Sequence, residues 1–354
     1  MQCRLVHQLP PQANNPRNSE GAFIRAGRGE ILFAYSRYHG ESCHDHAACD
    51  IALIVSRDEG ETWSEPRVIV PAATFGVQNV MSVSAVKQLN GDIAFYFLIK
   101  ENDFSTTLGR AVSDDGENFR LERCGARFPK AYYIVNNDRI VRLANGSLVA
   151  PAAFISIQEN RTGEHCACRT TCLISEDDGA CFHKADFTLF TTDRVNVDFG
   201  LQEPGILARA DGSLYLWMRT GYGRQYEAVS WGDINAFEGP QPSIFTSPDS
   251  PMQMKSFDGV TYVIYNPVPH YDGRVEPKGS WGRTPFVIRK STDGAKTFGP
   301  LNVIENEPAR GYCYPAIFQT ADGHFLLAYC RGNREDGNTL CRLGIAKIKI
   351  ASIE

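Results

Sequence analysis

The stretch Ser56-Arg57-Asp58-Glu59-Gly60-Glu61-Thr62-Trp63 recurs along this chain and decides its fold. Progressively altered copies occupy residues 112–119, 175–182 and 291–298, and Ser230 and Phe237 keep only the two ends of another. Successive copies start 55 to 63 residues apart. A period of that size corresponds to one supersecondary unit, so the sequence predicts an array of similar units.

Each copy has the composition of a tight turn followed by an aromatic anchor. The carboxylate of Asp58 can accept hydrogen bonds from backbone amides that follow it, and Gly60 tolerates the positive φ that such a turn needs. Trp63, replaced by Phe in the other copies, is then expected to pack as an anchor. Apolar runs such as residues 51–55 precede the copies, so each copy is predicted to close a β-hairpin.

A second recurring feature, a short turn that contains glycine, precedes the copies. Six short turns, each between two strand-like runs, carry the hairpin signals Gly29, Gly91, Gly146, Gly212, Gly259 and Gly323. These hairpins, each followed by a further strand pair, predict an all-β chain that forms a six-bladed β-propeller of four-stranded antiparallel blades. The blades are expected to start near residues 20, 80, 136, 202, 250 and 313. Residues 341–350 and the N-terminal segment would complete the sixth blade, and residues 1–354 would form one domain.

Composition excludes several classes of function. The net charge of -5 gives no basic surface for nucleic acid or an anionic membrane, and no run of 18 apolar residues could span a bilayer. The N-terminus lacks the apolar core of a secretion signal, and eleven scattered Cys suit a reduced compartment, so a cytoplasmic location is expected. His165, Cys166, Cys168 and Cys172 are interpreted as strand residues and the histidines at 39, 44 and 46 as loop residues, with no metal or cofactor predicted.

The repeat also aligns six polar positions. Counting back nine residues from each turn glycine reaches Glu20, Ser82, Asn137, Glu203, Ser250 and Tyr314. All six are expected to begin the innermost strand of a blade, so they would form a polar ring around one end of the propeller axis. Asn137 and the neighbouring Arg139 would then contact a ligand, or form an internal hydrogen-bond network as an equal alternative.

The same face is expected to collect charged residues. Arg37 and Arg219 end the second strands of blades one and four, and Arg283 opens the third strand of blade five. Converging guanidinium groups bind carboxylates through paired hydrogen bonds, although a lone Arg is more often part of a structural salt bridge. Asp45, in the long loop after Arg37, would protonate a leaving oxygen, and Glu203 beside Tyr314 would accept the phenol proton.

The turn repeat resembles the Asp-box (BNR) repeat of the sialidase superfamily over nearly the whole chain. The resemblance implies that Tyr314, in Gly311-Tyr312-Cys313-Tyr314-Pro315-Ala316, is the nucleophile and that Glu203 assists it. It also implies that Arg219 and Arg283 bind the substrate carboxylate and that Asp45 is the acid/base. The use of Tyr as nucleophile is itself characteristic of sialidases.

One residue departs from the family pattern. Sialidases open the first blade with an Arg that binds the carboxylate, whereas this chain has Glu20 in Asn18-Ser19-Glu20-Gly21. An ionised carboxylate there would repel an acidic sugar unless it were paired or protonated. Glu20 could instead bind sugar hydroxyls or act as a second catalytic carboxyl, in which case the substrate would be a different sugar, including a neutral one.

The sequence therefore predicts a glycoside hydrolase, exo-acting on a terminal acidic sugar such as sialic acid, with a carbohydrate as its partner. Two alternatives stay open. One is a non-catalytic carbohydrate-binding propeller, and the other is a propeller hydrolase or lyase for a uronic or neutral sugar. The sequence gives no prediction of the oligomeric state.

Overall fold

The computed structural model describes residues 1–162, 167–191 and 200–354. The strands of the first half, in chain order, are β1 (Cys3–Leu9), β2 (Asn18–Arg25), β3 (Ile31–Tyr38), β4 (Cys49–Ser56), β5 (Arg67–Val70), β6 (Val80–Lys87), β7 (Ile93–Asn102), β8 (Ser105–Ser113), β9 (Arg120–Arg123), β10 (Gly125–Arg127), β11 (Ala131–Ile134), β12 (Val141–Arg142), β13 (Leu148–Ser156), β14 (Arg169–Ser175) and β15 (Cys181–Lys184).

The second half continues with β16 (Gln202–Ala208), β17 (Leu214–Arg219), β18 (Arg224–Ser230), β19 (Glu238–Thr246), β20 (Gln253–Phe257), β21 (Val260–Tyr265), β22 (Phe286–Ser291), β23 (Asn302–Glu305), β24 (Cys313–Gln319), β25 (His324–Cys330) and β26 (Leu343–Lys349). The short helices are α1 (Ile157–Thr162) and the 3-10 turns Ala72–Phe75 and Ile350–Ser352.

These strands form six sheets, one for each predicted blade. From the innermost strand outward, blade one is β2 to β5, blade two β6 to β9, blade four β16 to β19 and blade five β20 to β23. In blade six, β24, β25 and β26 are followed outward by the N-terminal β1, which pairs antiparallel with β26. The predicted all-β six-bladed propeller is therefore confirmed, and the expected closure of blade six by the N-terminal segment is confirmed with it.

Blade three departs from the regular pattern. Its sheet has six strands, because β11 and β12 both pair with β13 at the inner edge and β10 pairs in parallel with β15 at the outer edge. The inner edge is interrupted between Ile134 and Val141, where residues 135–140 lie outside the strands. This interruption explains why the site residues expected from blade three do not follow the nine-residue spacing.

Apolar clusters fill the space between neighbouring blades. In β3, Leu32 and Ala34 pack with residues of blade two, whereas Phe33 and Tyr35 pack with residues of blade six. This alternation follows from the two-residue period of a strand. Because each sheet is covered on both faces, its strands are apolar at successive positions, and burying one side chain such as Phe33 contributes about 2–3 kcal/mol.

The recurring turn has the predicted hydrogen bonds. Asp58 Oδ1 accepts from Thr62 N over 2.9 Å and from Ser56 Oγ over 2.9 Å, and Gly60 N donates to Ser56 Oγ over 2.9 Å. Ala295, which replaces the glycine in the last copy, adopts the same left-handed conformation with φ 63°. The side-chain bonds therefore impose the turn even where the residue is not glycine.

The buried Ser56 hydroxyl gives a test of this turn. We expect Ser56→Ala to lower the free energy of unfolding by about 1–3 kcal/mol, because it leaves the Gly60 amide without its acceptor. Chemical denaturation followed by tryptophan fluorescence measures the change. Thr292→Ala, at an exposed position of another copy, is the control and should change stability by less than about 0.5 kcal/mol. Equal effects of the two substitutions would contradict the structural role of the Ser56 hydroxyl.

Candidate active site

Four innermost strands have, at their second or third position, a residue in a strained backbone conformation. Glu20, Ser82, Glu203 and Tyr314 have φ of 55°, 60°, 42° and 55°. Just after each of them the register with the second strand shifts, as in a β-bulge. A left-handed non-glycine residue costs about 1–3 kcal/mol and occurs preferentially at functional sites, and bulges redirect side chains. The four side chains meet at one end of the propeller axis.

The four residues line one cavity of about 520 Å³. Its wall also carries Asp45, Arg219 and Arg283, so six of the nine predicted site residues lie together. Its floor is buried, whereas Asp45 and Trp281 form an exposed rim. The remaining lining residues are His44, His46, Met81, Leu98, Lys100, Tyr132, Tyr133, Ile134, Asn136, Gln202, Asp249 and Leu340.

A chain of hydrogen bonds and ion pairs links the residues from blades four and six. Tyr314 Oη donates to Glu203 Oε1 over 2.8 Å, and Glu203 Oε2 lies 2.8 Å from Arg219 Nη1. Arg219 Nε donates to Asp249 Oδ1 over 2.6 Å. Burial and the neighbouring Glu203 carboxylate raise the pKa of Tyr314 well above its usual value. The phenol is therefore protonated in the resting site, with a carboxylate placed to receive its proton.

Arg283 lies beside this chain, between two aromatic rings. Its guanidinium carbon is 5.8 Å from the centroid of the Tyr314 ring and 4.9 Å from that of Trp281. Its Nε and Nη2 donate to the Asp249 carbonyl over 3.2 Å and 3.1 Å, and Nη1 donates to Cys313 Sγ over 3.2 Å. These contacts fix a positive charge next to Tyr314.

The opposite wall contains two carboxylates that share one guanidinium. Arg17 Nη2 lies 2.9 Å from Glu20 Oε1, and Arg17 Nη1 lies 2.5 Å from Asp45 Oδ1. Ser82 Oγ donates to the other Glu20 oxygen over 2.7 Å. Arg17 is only 1 % exposed and lies behind the wall, so it compensates the charge of Glu20 without entering the cavity.

The two carboxyl groups respond differently to this environment. Burial raises the pKa of Glu20, against the attraction of Arg17. Partial desolvation at the rim, where the Asp45 side chain keeps 57% exposure, acts to raise its pKa, but the charge and hydrogen bond of Arg17 outweigh this effect and lower that pKa to about 2. Lys100 Nζ and Asn79 Nδ2 hold the Asp45 carbonyl. Asp45 is thus ionised at neutral pH in the ligand-free cavity, and its loop is anchored at the rim.

Arg37, Asn137 and Arg139 were predicted on the wall but do not line it. Arg37 continues the alternation of Phe33 and Tyr35 on β3, which directs it to the gap between blades six and one. Asn137 is buried, and its Nδ2 donates to the carbonyls of Gly21 and Tyr314 over 3.0 Å and 3.3 Å. For Asn137 the alternative of an internal hydrogen-bond network is the observed one.

Arg139 lies beneath the inner strand of blade four. Its guanidinium carbon is 5.2 Å from the Trp217 ring, and a Cβ at Gly205 would approach Arg139 Nη1 to 2.4 Å. Burial lowers the pKa of Arg139 to about 10, against the attraction of Glu203. The group is therefore a buried positive charge behind Glu203 rather than a ligand contact on the wall.

Blades three and five break the nine-residue spacing. The left-handed residue of blade three is Asp138, with φ 55°, which stands eight residues before Gly146 rather than nine. The Asp138 carboxylate turns inward to Lys255, 2.9 Å away. In blade five β20 begins only at Gln253, and Ser250 is buried with its Oγ donating to Asn266 over 2.6 Å. Asn137 of blade three and Ser250 of blade five, which the nine-residue spacing aligns with Glu20 and Tyr314, therefore do not line the cavity.

Sequence reasoning missed two members of the site, Asp249 and Lys100, which line the cavity. Asp249 directly precedes Ser250, so a search of the positions flanking each blade start would have found it. Lys100, near the end of β7, carried no such signal because it lies outside the aligned strand starts.

Two other sequence predictions concern metals and membranes. Across the described ranges, no group of three or more His, Cys, Asp or Glu is arranged to hold a metal ion. His165 and Cys166 lie outside the described residues. In the same part of the chain, no helix has the length and apolar character needed to cross a membrane.

Several solved structures share this fold. Hadza microbial sialidase Hz136 superposes with a TM-score of 0.74 at 14% identity, covering 96% of this chain and 67% of that one. A protein of unknown function from Dyadobacter fermentans DSM 18053 gives 0.71 at 16% identity, with 98% and 99% covered. NanB sialidase from Streptococcus pneumoniae gives 0.70 at 12% identity, with 99% and 71% covered. At these identities the likeness establishes the fold.

Comparison with curated proteins gave no match, whereas comparison with models of protein families gave one. The model of the BNR repeat-like domain matches residues 29–327, which is most of the propeller. The chain belongs to the BNR repeat-like domain family, and its fold is the six-bladed propeller of the sialidases.

Proposed function

We propose that this protein is a glycoside hydrolase that removes a terminal sugar, with Tyr314 as nucleophile. The observation that carries the proposal is the 2.8 Å hydrogen bond from Tyr314 Oη to Glu203 Oε1 at the floor of a cavity. A volume of about 520 Å³ is enough for a sugar ring, and the buried floor favours a chain end over the middle of a polymer. The sialidases that share its fold support the same reaction class.

In the first step Tyr314 Oη attacks the anomeric carbon while its proton passes to Glu203. The bond from the anomeric carbon to the leaving oxygen breaks, and Asp45 supplies the proton that this oxygen needs. The product is a sugar covalently bound to Tyr314. Arg219, Arg283 and the buried Arg139 stabilise the negative charge that develops on the phenol oxygen as its proton leaves.

In the second step water attacks the anomeric carbon from the side that the leaving group vacated. Asp45, now ionised, accepts a proton from that water, and the bond to Tyr314 breaks. The phenolate regains its proton from Glu203, which restores the resting site. Two displacements at one carbon leave the anomeric configuration unchanged.

The acidic sugar predicted from the sequence, with sialic acid as its example, stays a prediction. Arg219 and Arg283 lie on the cavity wall, as a carboxylate clamp requires, but Glu20 stands where a third guanidinium was expected from the family resemblance. Whether the cavity can bind an acidic sugar therefore depends on whether its arginines are already paired with carboxylates of the protein.

A second candidate function is a non-catalytic carbohydrate-binding propeller. The observation that favours it is the pairing of Asp45 with Arg17, because a carboxyl with a pKa of about 2 holds no proton at neutral pH. Catalysis requires substrate binding to weaken this pair, whereas a binding module has no such requirement. The two candidates differ in whether any glycosidic bond is cleaved.

The first prediction concerns Tyr314. On a panel of aryl glycosides that includes sialosides, uronides and neutral sugars, wild-type protein should release aglycone from one class. Tyr314→Phe should lower kcat at least about 1,000-fold, because the phenol oxygen that forms the new bond is gone. Chromogenic assays measure the rate, and retained sugar binding by Tyr314→Phe shows that the cavity is intact. Sugar binding without turnover by the wild type would favour the binding module instead.

The second prediction concerns Asp45 and the leaving group. Asp45→Asn should lower kcat/KM by about 100-fold or more for an alkyl glycoside, whose leaving oxygen needs a proton. It should have a much smaller effect on a dinitrophenyl glycoside, whose leaving group departs as an anion. Parallel kinetics on the two substrates measure the difference. Equal losses on both would assign Asp45 a structural role only.

The third prediction is the pH dependence of kcat/KM. Because Arg17 lowers the pKa of Asp45 to about 2, the protonated acid becomes rarer as the pH rises above that value. For the alkyl glycoside, kcat/KM should therefore increase towards acid pH as long as the Glu203 carboxylate can still accept the Tyr314 proton and the fold persists. The lowered pKa also means that the Asp45–Arg17 pair stabilises the fold at neutral pH and stops doing so as the pH falls towards 2. A profile that rises towards alkaline pH would contradict Asp45 as the acid.

A further inference from the structure

The positive charges of the cavity wall are already compensated by the protein. Around Tyr314, the two cations that line the cavity, Arg219 and Arg283, are matched by the carboxylates of Glu203 and Asp249, and Arg139 adds a positive charge behind Glu203 without lining the cavity. Arg219 contacts both of these carboxylates, at 2.8 Å and 2.6 Å. A guanidinium that bridges two carboxylates has little attraction left for a third.

Three of the five N–H donors of Arg283 are also engaged. Nε and Nη2 donate to the Asp249 carbonyl, and Nη1 donates to Cys313 Sγ. A bidentate grip on a substrate carboxylate needs two parallel N–H groups of one guanidinium free at the cavity surface. Three of the five N–H groups of Arg283 make contacts within the protein, and two of them lie on the Nε–Nη2 edge, so a grip by that edge would require Arg283 to give up its contacts with Asp249.

The other wall is balanced in the same way. Arg17 and Lys100 face Glu20 and Asp45, two cations against two carboxylates. Lys100 is the cation of this wall that lines the cavity, and its Nζ donates to the Asp45 carbonyl. Burial lowers the pKa of Lys100, although Asp45 opposes this effect. His46 adds no charge here at neutral pH, because burial lowers its pKa.

Glu20 has capacity left for a ligand. It is 4 % exposed, and it lines the cavity with one oxygen held by Arg17 and the other by Ser82. A carboxylate oxygen can accept more than one hydrogen bond, so both oxygens can still accept from a ligand. Asp249, on the facing wall, offers a second carboxylate acceptor.

We propose that the cavity binds a neutral sugar, whose ring carries hydroxyl groups and no carboxylate, and that Glu20 accepts a hydrogen bond from one of those hydroxyls. This inference rests on the proposed function only in taking this cavity as the sugar-binding site. It concerns which sugar binds there and does not depend on whether a bond is cleaved. Sugar hydroxyls donate to the carboxylates without disturbing their ion pairs. A substrate carboxylate would instead face Asp45, Asp249 and the buried Glu20, and its repulsion would be strongest with Glu20, where burial limits screening by solvent.

The test separates recognition from turnover. Binding of monosaccharides to Tyr314→Phe is measured by saturation-transfer NMR and calorimetry, with neutral hexoses, deoxyhexoses and pentoses beside sialic acid, glucuronic acid and galacturonic acid. At least one neutral sugar should bind, and Glu20→Gln in the same background should weaken that binding about tenfold or more, because a charged acceptor is replaced by an amide. Glu305→Gln is the matched control, since Glu305 is a partly buried carboxylate paired with Arg331 away from the cavity.

The outcomes distinguish the two proposals. Neutral-sugar binding that depends on Glu20, without hydrolysis by the wild type, would keep this inference and overturn the hydrolase. Hydrolysis of a sialoside or uronide in preference to neutral glycosides would keep the hydrolase and overturn this inference. Failure of every neutral sugar to bind at millimolar concentration, or equal weakening by Glu20→Gln and Glu305→Gln, would also overturn it.

Discussion

The site depends on a backbone constraint, the left-handed residue near the start of four of the innermost strands. In this conformation Glu20, Ser82, Glu203 and Tyr314 leave the strand at a bulge, and their side chains meet at the axis. Such strain persists only where the surroundings over-determine it. Here the rest of each blade supplies that support, through outer strands, apolar packing against both neighbours and turns fixed by serine and aspartate. The rigid part of the propeller thus stabilises the strained part that carries the chemistry.

Charge pairing then decides what the assembled residues can do. One wall joins Tyr314 to Glu203, Arg219 and Asp249, so the phenol has a proton acceptor and its developing charge has cations nearby. The other wall joins Glu20 and Asp45 through Arg17, which is buried behind them. The same guanidinium that makes a buried Glu20 tolerable also keeps Asp45 ionised. In the proposed mechanism, recognition and acid catalysis are therefore coupled through one buried residue, and substrate binding must change that coupling before a proton can be delivered.

Much of this arrangement was predictable from the sequence because the fold is periodic. The repeated turns gave the number of blades, and the nine-residue spacing brought Glu20, Glu203 and Tyr314 to one end of the axis. The spacing failed for Asn137 because the inner edge of blade three is interrupted. Arg37 was assigned to the site because it lies at the correct end of its strand. Its side chain lies outside the cavity because successive residues of a strand point to opposite faces of the sheet. Contacts between distant segments, such as Arg17 with Asp45, follow from packing in three dimensions, and no periodic signal marks them.

In the proposed mechanism Tyr314 forms a covalent bond to the sugar, and water then breaks it. The stereochemistry of the product distinguishes this route from direct attack by water, because two displacements retain the anomeric configuration and one inverts it. Proton NMR of the reaction in progress, recorded before mutarotation, identifies the first anomer released from a cleaved glycoside. The account predicts the same configuration as in the substrate. Release of the opposite anomer would mean that water attacks the substrate directly, and Tyr314 would then not be the nucleophile.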